Sequence, residues 1–372
     1  MARGPLLDAQ SFTNRIGPMV LAGALLVTQA GCGGSKSPAS PTTPGAPSGT
    51  SGMQAEPLRD AARGSGKLVG AAVKSSLLAD GLYAGVLRRH FNYLTAEFEM
   101  KWDAIERTRG VNNFGGGDAI VSFGQANGMQ IKGHALIWHG SVPGWLSALP
   151  AAEFRAAFET HIRSVAEHFR GRVVAWDVVN EAVADDGANL RDTIFRQKLG
   201  DQYIAEAFRL ARQADPTALL FYNDYGGEGL TSKSDRIYAL VQGLRAQGVP
   251  IDGVGLQMHV NATSRPSDAN IAANIRRLVG LGLLVNISEM DVRIRDVPGT
   301  REARLEVQRS VYRSIVGVCV AEPRCDGVTF WGFTDAHSWI DAQFGADDPL
   351  IFDEQYAVKP AYYGVLDALW RR

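Results

Sequence analysis

Short apolar runs recur along the chain and alternate with stretches of helical periodicity. Eight of these runs predict β-strands, at residues 68–73, 92–96, 130–137, 172–179, 218–223, 251–258, 282–288 and 326–331. Amphipathic helix patterns lie between them, at residues 152–168, 200–213, 232–247, 268–280 and 300–317. This alternation predicts an α/β fold, a (β/α)8 TIM barrel. An open doubly wound sheet is the alternative, but no glycine-rich phosphate-binding pattern follows any predicted strand.

Polar side chains occur where several of these strands end, which is where TIM barrels carry their chemistry. They are His134, Asn180, Glu181, Asn223, Gln257, His259, Glu289 and Trp331. Neighbouring strand residues point to opposite faces, so Asn180 and Glu181 can both face the site only if the strand ends or bulges. A polar strand end entering a solvated loop is the alternative. Glu181 closes the fourth predicted strand and Glu289 the seventh, so we expect two carboxylates to converge across the barrel mouth, as glycoside hydrolysis requires.

Other hydrolase chemistries have no matching pattern. His134 and His139 are five residues apart on a predicted strand, which puts them on opposite faces and argues against a metal site. The HExxH and GxSxG patterns are absent. Six tryptophans fall in or beside the strand-end segments: Trp102, Trp138, Trp145, Trp176, Trp331 and Trp339. Any one of them could be a core residue, but together with the carboxylates and amides they favour a sugar-binding cleft.

The amino-terminal part of the chain predicts export. Arg3 and Arg15 precede an apolar run, residues 16–28, which is too short to span a bilayer but typical of a signal-peptide core. The run leads to "QAGC", which resembles the lipobox of bacterial lipoproteins and would make Cys32 the lipidated residue. A secretory signal without lipidation is the alternative.

The following segment is rich in Gly, Ser, Pro and Thr and predicts a flexible tether. We therefore expect a signal peptide at 1–32, a linker at 33–56 and a folded domain at 57–372. The expected location is the cell surface or outer membrane through a lipid anchor, or the medium if the chain is only secreted.

Composition and cysteine content limit the partners. The chain has 372 residues, 45% hydrophobic and 21% charged, with a formal net charge of −1, so nothing indicates binding to nucleic acid or to an anionic membrane surface. We expect a monomer. Beyond Cys32 only Cys319 and Cys325 remain, and in an exported protein this pair suggests a disulfide, with two unpaired core thiols as the alternative.

Eight blocks of sequence occur in a fixed order through the predicted domain. They are "TAEFEMKW" (95–102), "GHALIWH" (133–139), "WDVVNEA" (176–182), "NDY" (223–225), "GVGLQMH" (253–259), "ISEMD" (287–291), "VTFWGFTDAHSW" (328–339) and "PLIFD…KPAYYGV" (349–365). Through these blocks the chain resembles glycoside hydrolase family 10, the β-1,4-xylanases, over nearly all of residues 57–372. The cysteine pair also matches a pair often seen in that family.

The resemblance implies an endo-β-1,4-xylanase that hydrolyses internal bonds of xylan or xylo-oligosaccharides with retention and without a cofactor or metal. It implies that Glu289 is the nucleophile and Glu181 the acid/base. His259 would hydrogen-bond the nucleophile and Asp291 would orient that imidazole. Asn180 would contact the sugar 2-hydroxyl at the cleavage point.

Further residues that the resemblance places against the substrate are Glu97, Lys101, His134, Trp138, Asn223, Tyr225, Gln257, Trp331 and Trp339. Glu97, Lys101 and His134 would bind hydroxyls on the non-reducing side. Trp331 and Trp339 would wall the site, Trp138 would pack under it, and Tyr225 would face the leaving group. Two alternatives remain open: a barrel hydrolase acting on another β-glycan, and a surface lipoprotein that captures xylan without cutting it.

Three positions depart from the family pattern. Phe98 stands where Asn is usual, Ser141 where Gln is usual, and Ile340 where Arg is usual. The usual Asn and Gln hydrogen-bond the sugar at the −2 subsite, so these changes predict either neutral drift or a rebuilt −2 subsite that is weaker for linear xylan.

Overall fold

The sheet of this protein closes on itself. A computed structural model describes residues 50–370. The strands in this range are β1 (Leu68–Val73), β2 (Tyr93–Ala96), β3 (Gln130–Trp138), β4 (Ala175–Asn180), β5 (Leu219–Asp224), β6 (Gly253–Leu256), β7 (His259–Asn261), β8 (Leu284–Arg293) and β9 (Cys325–Phe330). All except β7 form a ring of parallel neighbours, because β6 pairs with β8 and β9 with β1. The predicted (β/α)8 TIM barrel is confirmed.

Helices surround the barrel. They are α1 (Leu58–Ser65), α2 (Gly81–His90), α3 (Trp102–Ile105), α4 (Gly115–Ala126), α5 (Ala151–His168), α6 (Ile194–Leu199), α7 (Tyr203–Ala214), α8 (Ser232–Ala246), α9 (Asp268–Gly280), α10 (Arg301–Ala321), α11 (Trp339–Phe344) and α12 (Pro360–Leu369). The helical spacing of apolar residues explains how they pack, since α5 buries Phe154, Phe158 and Ile162 at every fourth position. Among the helices of the described range, none has the length and apolar character needed to cross a membrane.

Two strands differ from the prediction. The sixth predicted strand, 251–258, is interrupted after β6 because Met258 has a φ of 67°, which extended backbone cannot have. The chain then forms β7, which pairs with Asp291–Arg293 on the outer end of β8. This added pairing extends β8 five residues beyond the predicted end at 288, so Glu289 lies inside the strand and not at its end.

Glycine makes room for the site at one barrel position. A Cβ atom at Gly255 of β6 would lie 2.1 Å from Oδ1 of Asn223 on the neighbouring strand β5. Any larger residue at this position would therefore displace the Asn223 amide from the barrel mouth.

The disulfide lies at the other end of the barrel. Cys319 near the end of α10 is bonded to Cys325, the first residue of β9. The predicted pairing is confirmed. Because Cys325 begins its strand, the bond is at the amino-terminal face, opposite the face where the strands end.

The folded domain begins earlier than predicted. The linker was expected to reach residue 56, but Gly52 N donates to the Tyr356 carbonyl at 3.0 Å and Arg89 binds the Ala55 carbonyl at 2.9 Å. Ala55 is itself buried. These contacts make residues 51–55 part of the domain, because their backbone groups find partners on the barrel. The predicted signal peptide, Cys32 and the rest of the linker lie outside the described residues.

Candidate active site

Glu181 directly follows β4 at the carboxyl end of the barrel. Asn180 is the last residue of the strand, and Glu181 has a φ of 58°, in the left-handed region. Together with a register irregularity between Asp177 and Val179, this turn brings both polar side chains into one hydrogen-bonded network at the barrel mouth. Left-handed backbone costs a residue with a Cβ atom roughly 1–2 kcal/mol, so neighbouring groups must hold the segment in place.

Glu289 is buried in β8 and faces the same mouth. Its Oε1 accepts a hydrogen bond from Asn223 Nδ2 at 2.6 Å, and its Oε2 lies 3.2 Å from His259 Nε2. Burial by itself raises the pKa of the Glu289 carboxyl, but the imidazoles of His134 and His259 and the ammonium of Lys101 lower that pKa to about 2. Glu289 is therefore an anion at neutral pH.

Amide side chains connect the two glutamates. Asn223 Nδ2 donates both to Glu289 and, at 2.9 Å, to Asn180 Oδ1. Gln257 Nε2 donates to the same Asn180 oxygen at 3.3 Å and to Glu181 Oε1 at 3.0 Å. The carboxylates thus lie at the two ends of one hydrogen-bonded network.

Two indole groups bind carboxylates of the site. Trp138 Nε1 donates to Glu181 Oε2 at 2.8 Å, so its contact with the site is a hydrogen bond as well as packing. Trp339 Nε1 donates to Asp291 Oδ2 at 2.9 Å.

Lys101 adds a positive charge to the site, with its Nζ 4.4 Å from the centre of the Trp138 ring. Burial lowers the pKa of this lysine.

His259 lies between two carboxylates. Its Nδ1 is 2.7 Å from Asp291 Oδ2, while its Nε2 faces Glu289. Burial by itself lowers the pKa of His259, but Asp291 and Glu289 raise it to about 10. The imidazole is therefore a cation at neutral pH that donates to both neighbours.

A second histidine is held from inside the barrel. His134 Nδ1 lies 2.9 Å from Asp177 Oδ2, and Lys132 forms an ion pair with the other Asp177 oxygen at 2.7 Å. The Trp331 ring packs on His134 edge to face, with the ring centres 5.0 Å apart. Asp177 and Lys132 were not predicted as part of the site, although a charged residue inside the apolar run "AWDVV" was a usable signal.

The rim of the cleft carries Glu97 and Tyr225 on different loops. Glu97 follows β2 and forms an ion pair with Lys74 at 3.2 Å, and burial raises the pKa of its carboxyl. Tyr225 follows β5, and its hydroxyl binds Asp185 at 2.5 Å and Arg191 at 3.1 Å. Lys74, Asp185 and Arg191 were missed because each lies in a loop with no periodic pattern.

Not every strand-end tryptophan belongs to the site. Trp138, Trp331 and Trp339 contact site residues, whereas Trp102 and Trp176 are fully buried core residues. Trp145 uses its Nε1 to bind the Glu106 carbonyl at 3.0 Å.

The three positions that depart from the family pattern have different environments. Phe98 is 45% exposed, which is unusual for an aromatic side chain. Ser141 is buried, and its hydroxyl has no hydrogen-bond partner. Ile340 is fully buried, so its side chain packs in the interior and offers nothing to a ligand.

The site thus contains two different carboxyl groups. Glu289 is an anion beside the His259 cation, and Glu181 accepts hydrogen bonds from the Gln257 amide and the Trp138 indole. Such a pair can supply a nucleophile and a proton donor. Within residues 50–370, no group of three or more His, Cys, Asp or Glu side chains is placed to hold a metal ion.

Known proteins resemble this chain over almost the whole folded domain. Residues 57–368 match the family model of glycosyl hydrolase family 10. Endo-1,4-beta-xylanase B of Thermotoga neapolitana is 41% identical over 292 residues, 77% of this chain and 83% of that protein. An endo-1,4-beta-xylanase of Agaricus bisporus is 38% identical over 312 residues, 82% of this chain and 92% of that protein.

Solved structures give the same picture. The crystal structure of xylanase 10B from Thermotoga petrophila RKU-1 in complex with xylobiose superposes with a TM-score of 0.82 at 38% identity. The match covers 85% of this chain and 98% of that chain.

Proposed function

Since this chain belongs to glycosyl hydrolase family 10 and is an endo-1,4-β-xylanase, we propose that it hydrolyses internal bonds of xylan by a retaining double displacement on Glu289 and Glu181. The observation that carries this proposal is the different environment of the two carboxylates. Glu289 is kept anionic by His259, whereas Glu181 is held at the far end of the shared amide network.

In the first step, a Glu289 oxygen attacks the anomeric carbon, and the glycosidic bond breaks as Glu181 gives its proton to the departing oxygen. This forms a covalent glycosyl ester and releases the shortened chain. Removing the Glu289 charge at this point also removes an electrostatic repulsion, which prepares Glu181 to act as a base.

In the second step, Glu181 takes a proton from water as that water attacks the anomeric carbon and displaces Glu289. Two inversions give net retention. Asn180 contacts the sugar 2-hydroxyl in this proposal, and its amide is already oriented by Asn223 and Gln257. Such a contact lowers the barrier if it strengthens in the transition state.

The remaining predicted residues bind the chain. Glu97, Lys101 and His134 take hydroxyls on the non-reducing side. Trp331 and Trp339 wall the sugar whose bond is cleaved, and their rings suit the C–H faces of a pyranose. These two rings pack on His134 and His259, so the wall and the reacting groups are held together.

We also propose that the −2 subsite is weaker for linear xylan than an Asn/Gln pair would make it. The exposed Phe98 ring offers no hydrogen bond to a sugar, and the buried Ser141 hydroxyl is short. The double variant Phe98→Asn, Ser141→Gln should raise kcat/KM on linear xylotriose roughly five-fold. One recovered hydrogen bond is worth about 1 kcal/mol, and this energy corresponds to that ratio of rates. A change within about two-fold on linear and decorated chains alike would identify the substitutions as drift.

The amino-terminal pattern supports a proposal about location. The charged start, short apolar core, Cys32 and Pro/Ser-rich segment are the order of an exported lipoprotein. One acyl chain gives only marginal membrane binding, so stable anchoring would need the several chains that lipoproteins carry.

Release of reducing sugar tests the substrate directly. Purified protein is given xylan, cellulose and mannan in parallel, with Glu289→Ala as the inactive control. We expect release from xylan only. Greater turnover of cellulose or mannan would assign another β-glycan, and binding of xylan without release would identify a capture protein.

A further inference from the structure

The backbone N–H and C=O groups of residues 181–183 all have hydrogen-bond partners. Glu181 N donates to the Asn223 carbonyl at 2.9 Å, which continues the β4–β5 pairing by one residue. On the other side, Arg191 N donates to the Ala182 carbonyl at 2.7 Å, and the Arg191 guanidinium donates to the carbonyls of Glu181 at 3.1 Å and Val183 at 3.2 Å. Three consecutive carbonyls of a left-handed turn are thus bound by one residue.

Tyr222 binds the remaining amides of this turn. Its hydroxyl, fully buried at the end of β5, accepts the N–H groups of Ala182 at 3.0 Å and Val183 at 3.1 Å. The same hydroxyl donates to Asp224 Oδ2 at 2.5 Å. A phenol has one proton and two lone pairs, so this hydroxyl uses its whole hydrogen-bonding capacity on the turn and on Asp224.

Asp224 fixes the direction in which that hydroxyl points. Its Oδ1 accepts from Tyr225 N at 2.9 Å and pairs with Lys233 Nζ at 3.0 Å, and the carboxylate has no solvent exposure. Because the Asp224 carboxylate accepts the hydrogen bond from the phenolic O–H, both lone pairs of the Tyr222 oxygen remain directed at the amides of Ala182 and Val183.

We propose that Tyr222, oriented by Asp224, is a positioning residue that sets the Glu181 carboxyl within reach of the glycosidic oxygen. The inference rests on the proposed function, since it assumes that Glu181 is the acid/base. Proton transfer requires hydrogen-bond geometry between acid and leaving oxygen, and a displacement of about 1 Å can cost on the order of 100-fold. A tyrosine that only stabilised the barrel would have no effect specific to proton transfer.

The leaving group separates these two roles. Tyr222→Phe removes the hydroxyl and keeps the ring. It leaves the Ala182 amide without its partner, and leaves the Val183 amide with only its longer contact to Asp224 Oδ2, at 3.4 Å. We expect kcat/KM on xylotriose to fall about 10-fold or more, because its leaving group needs a proton. On 2,4-dinitrophenyl β-xylobioside, whose leaving group needs none, kcat/KM should stay within about two-fold of wild type.

Two variants complete the comparison. Tyr362→Phe is the matched control, because it also removes a buried hydroxyl, one whose hydrogen-bond partners, the Glu56 carbonyl and His90, are not residues of the site. It should leave both rates unchanged. Glu181→Ala tests the underlying assignment, since a loss that is not selective for xylotriose would overturn the role of Glu181 itself.

An equal loss on both substrates with Tyr222→Phe, or no loss on either, would overturn the positioning role while leaving that of Glu181 intact. Should this variant fail to fold, Asp224→Asn decides the question. Its amide places a donor against either Lys233 or the Tyr222 hydroxyl, so the same selective loss is expected. A uniform loss, or none, would refute the proposal.

Discussion

Individual residues carry the distinction between the two glutamates. In the proposed mechanism only Glu289 forms a bond to the sugar, and Glu181 is needed in the first step only when the leaving group is a poor one. Glu181→Ala should therefore lose about 100-fold or more on xylan yet keep much of its first-step rate with a dinitrophenyl leaving group. Glu289→Ala should lose at least about 1000-fold on both.

Azide provides the control for this comparison. In the proposed mechanism a small anion can replace the water that Glu181 activates. Azide should therefore restore turnover of Glu181→Ala on 2,4-dinitrophenyl β-xylobioside and give β-xylobiosyl azide and dinitrophenolate. If azide instead restored turnover of Glu289→Ala and gave a β-configured azide, Glu289 would be the acid/base and Glu181 the nucleophile.

His259 makes stability depend on pH in a definite direction. Its pKa is raised from 6.5 to about 10 in the folded state, so the native protein binds a proton that the unfolded chain lacks between these values. The stabilisation is complete below pH 6.5 and is lost as pH rises towards about 10. His259→Asn lacks this contribution at every pH.

Thermal unfolding of both proteins at pH 6 and at pH 9.5 measures the effect. The difference in Tm between wild type and His259→Asn should shrink at the higher pH. A difference that stays constant or grows would mean that His259 is not held as a cation between Glu289 and Asp291.

At the scale of elements, the disulfide stabilises the amino-terminal end of the barrel, away from the candidate site. It joins α10 to β9 across a separation of six residues, at the face opposite the site. Closing so short a loop in the unfolded chain is worth about 2 kcal/mol. Cys319→Ala with Cys325→Ala should lower the free energy of unfolding by that amount and leave kcat unchanged.

Reduction gives the matched control for the disulfide. Dithiothreitol should shift the denaturant midpoint of wild type to that of the double variant and leave the double variant where it is. An unfolding free energy that is the same with and without the bond would show that this end of the barrel is held by packing alone.

The strand pattern was predictable because parallel strands buried on both faces read as apolar runs. The break between β6 and β7 was not, because Met258 gives no local sign of a left-handed conformation. That conformation is stabilised from a distance, where Glu228 accepts the Met258 amide at 3.3 Å. The true length of β8 likewise depends on β7, an element that periodicity could not separate from β6.

At the scale of the whole molecule, the two candidate catalytic glutamates were easier to find in the sequence than the residues that contact and hold them. Glu181 and Glu289 each end or interrupt an apolar run, and each lies in a sequence block that resembles the family, at 176–182 and 287–291. Tyr222 and Asp177 act through partners about 40 residues away in sequence, and no single segment records such contacts. A buried tyrosine with a satisfied hydroxyl reads as an ordinary core residue.

The attachment of the molecule is tested by Cys32→Ser, because lipidation requires the thiol. We expect wild type to fractionate with membranes and the variant to be released with the same xylanase activity per molecule. A variant that still fractionates with membranes would refute the lipid anchor, and a wild-type protein found wholly in the medium would favour simple secretion.

The configuration of the first product tests the central claim most directly. Proton NMR of wild-type protein with a xylo-oligosaccharide resolves the anomeric proton of each new reducing end before mutarotation mixes the two forms. Double displacement through Glu289 predicts that the β-anomer appears first and the α-anomer follows only at the rate of mutarotation. An α-anomer formed first would mean that water attacks the sugar directly, and that Glu289 is not a nucleophile.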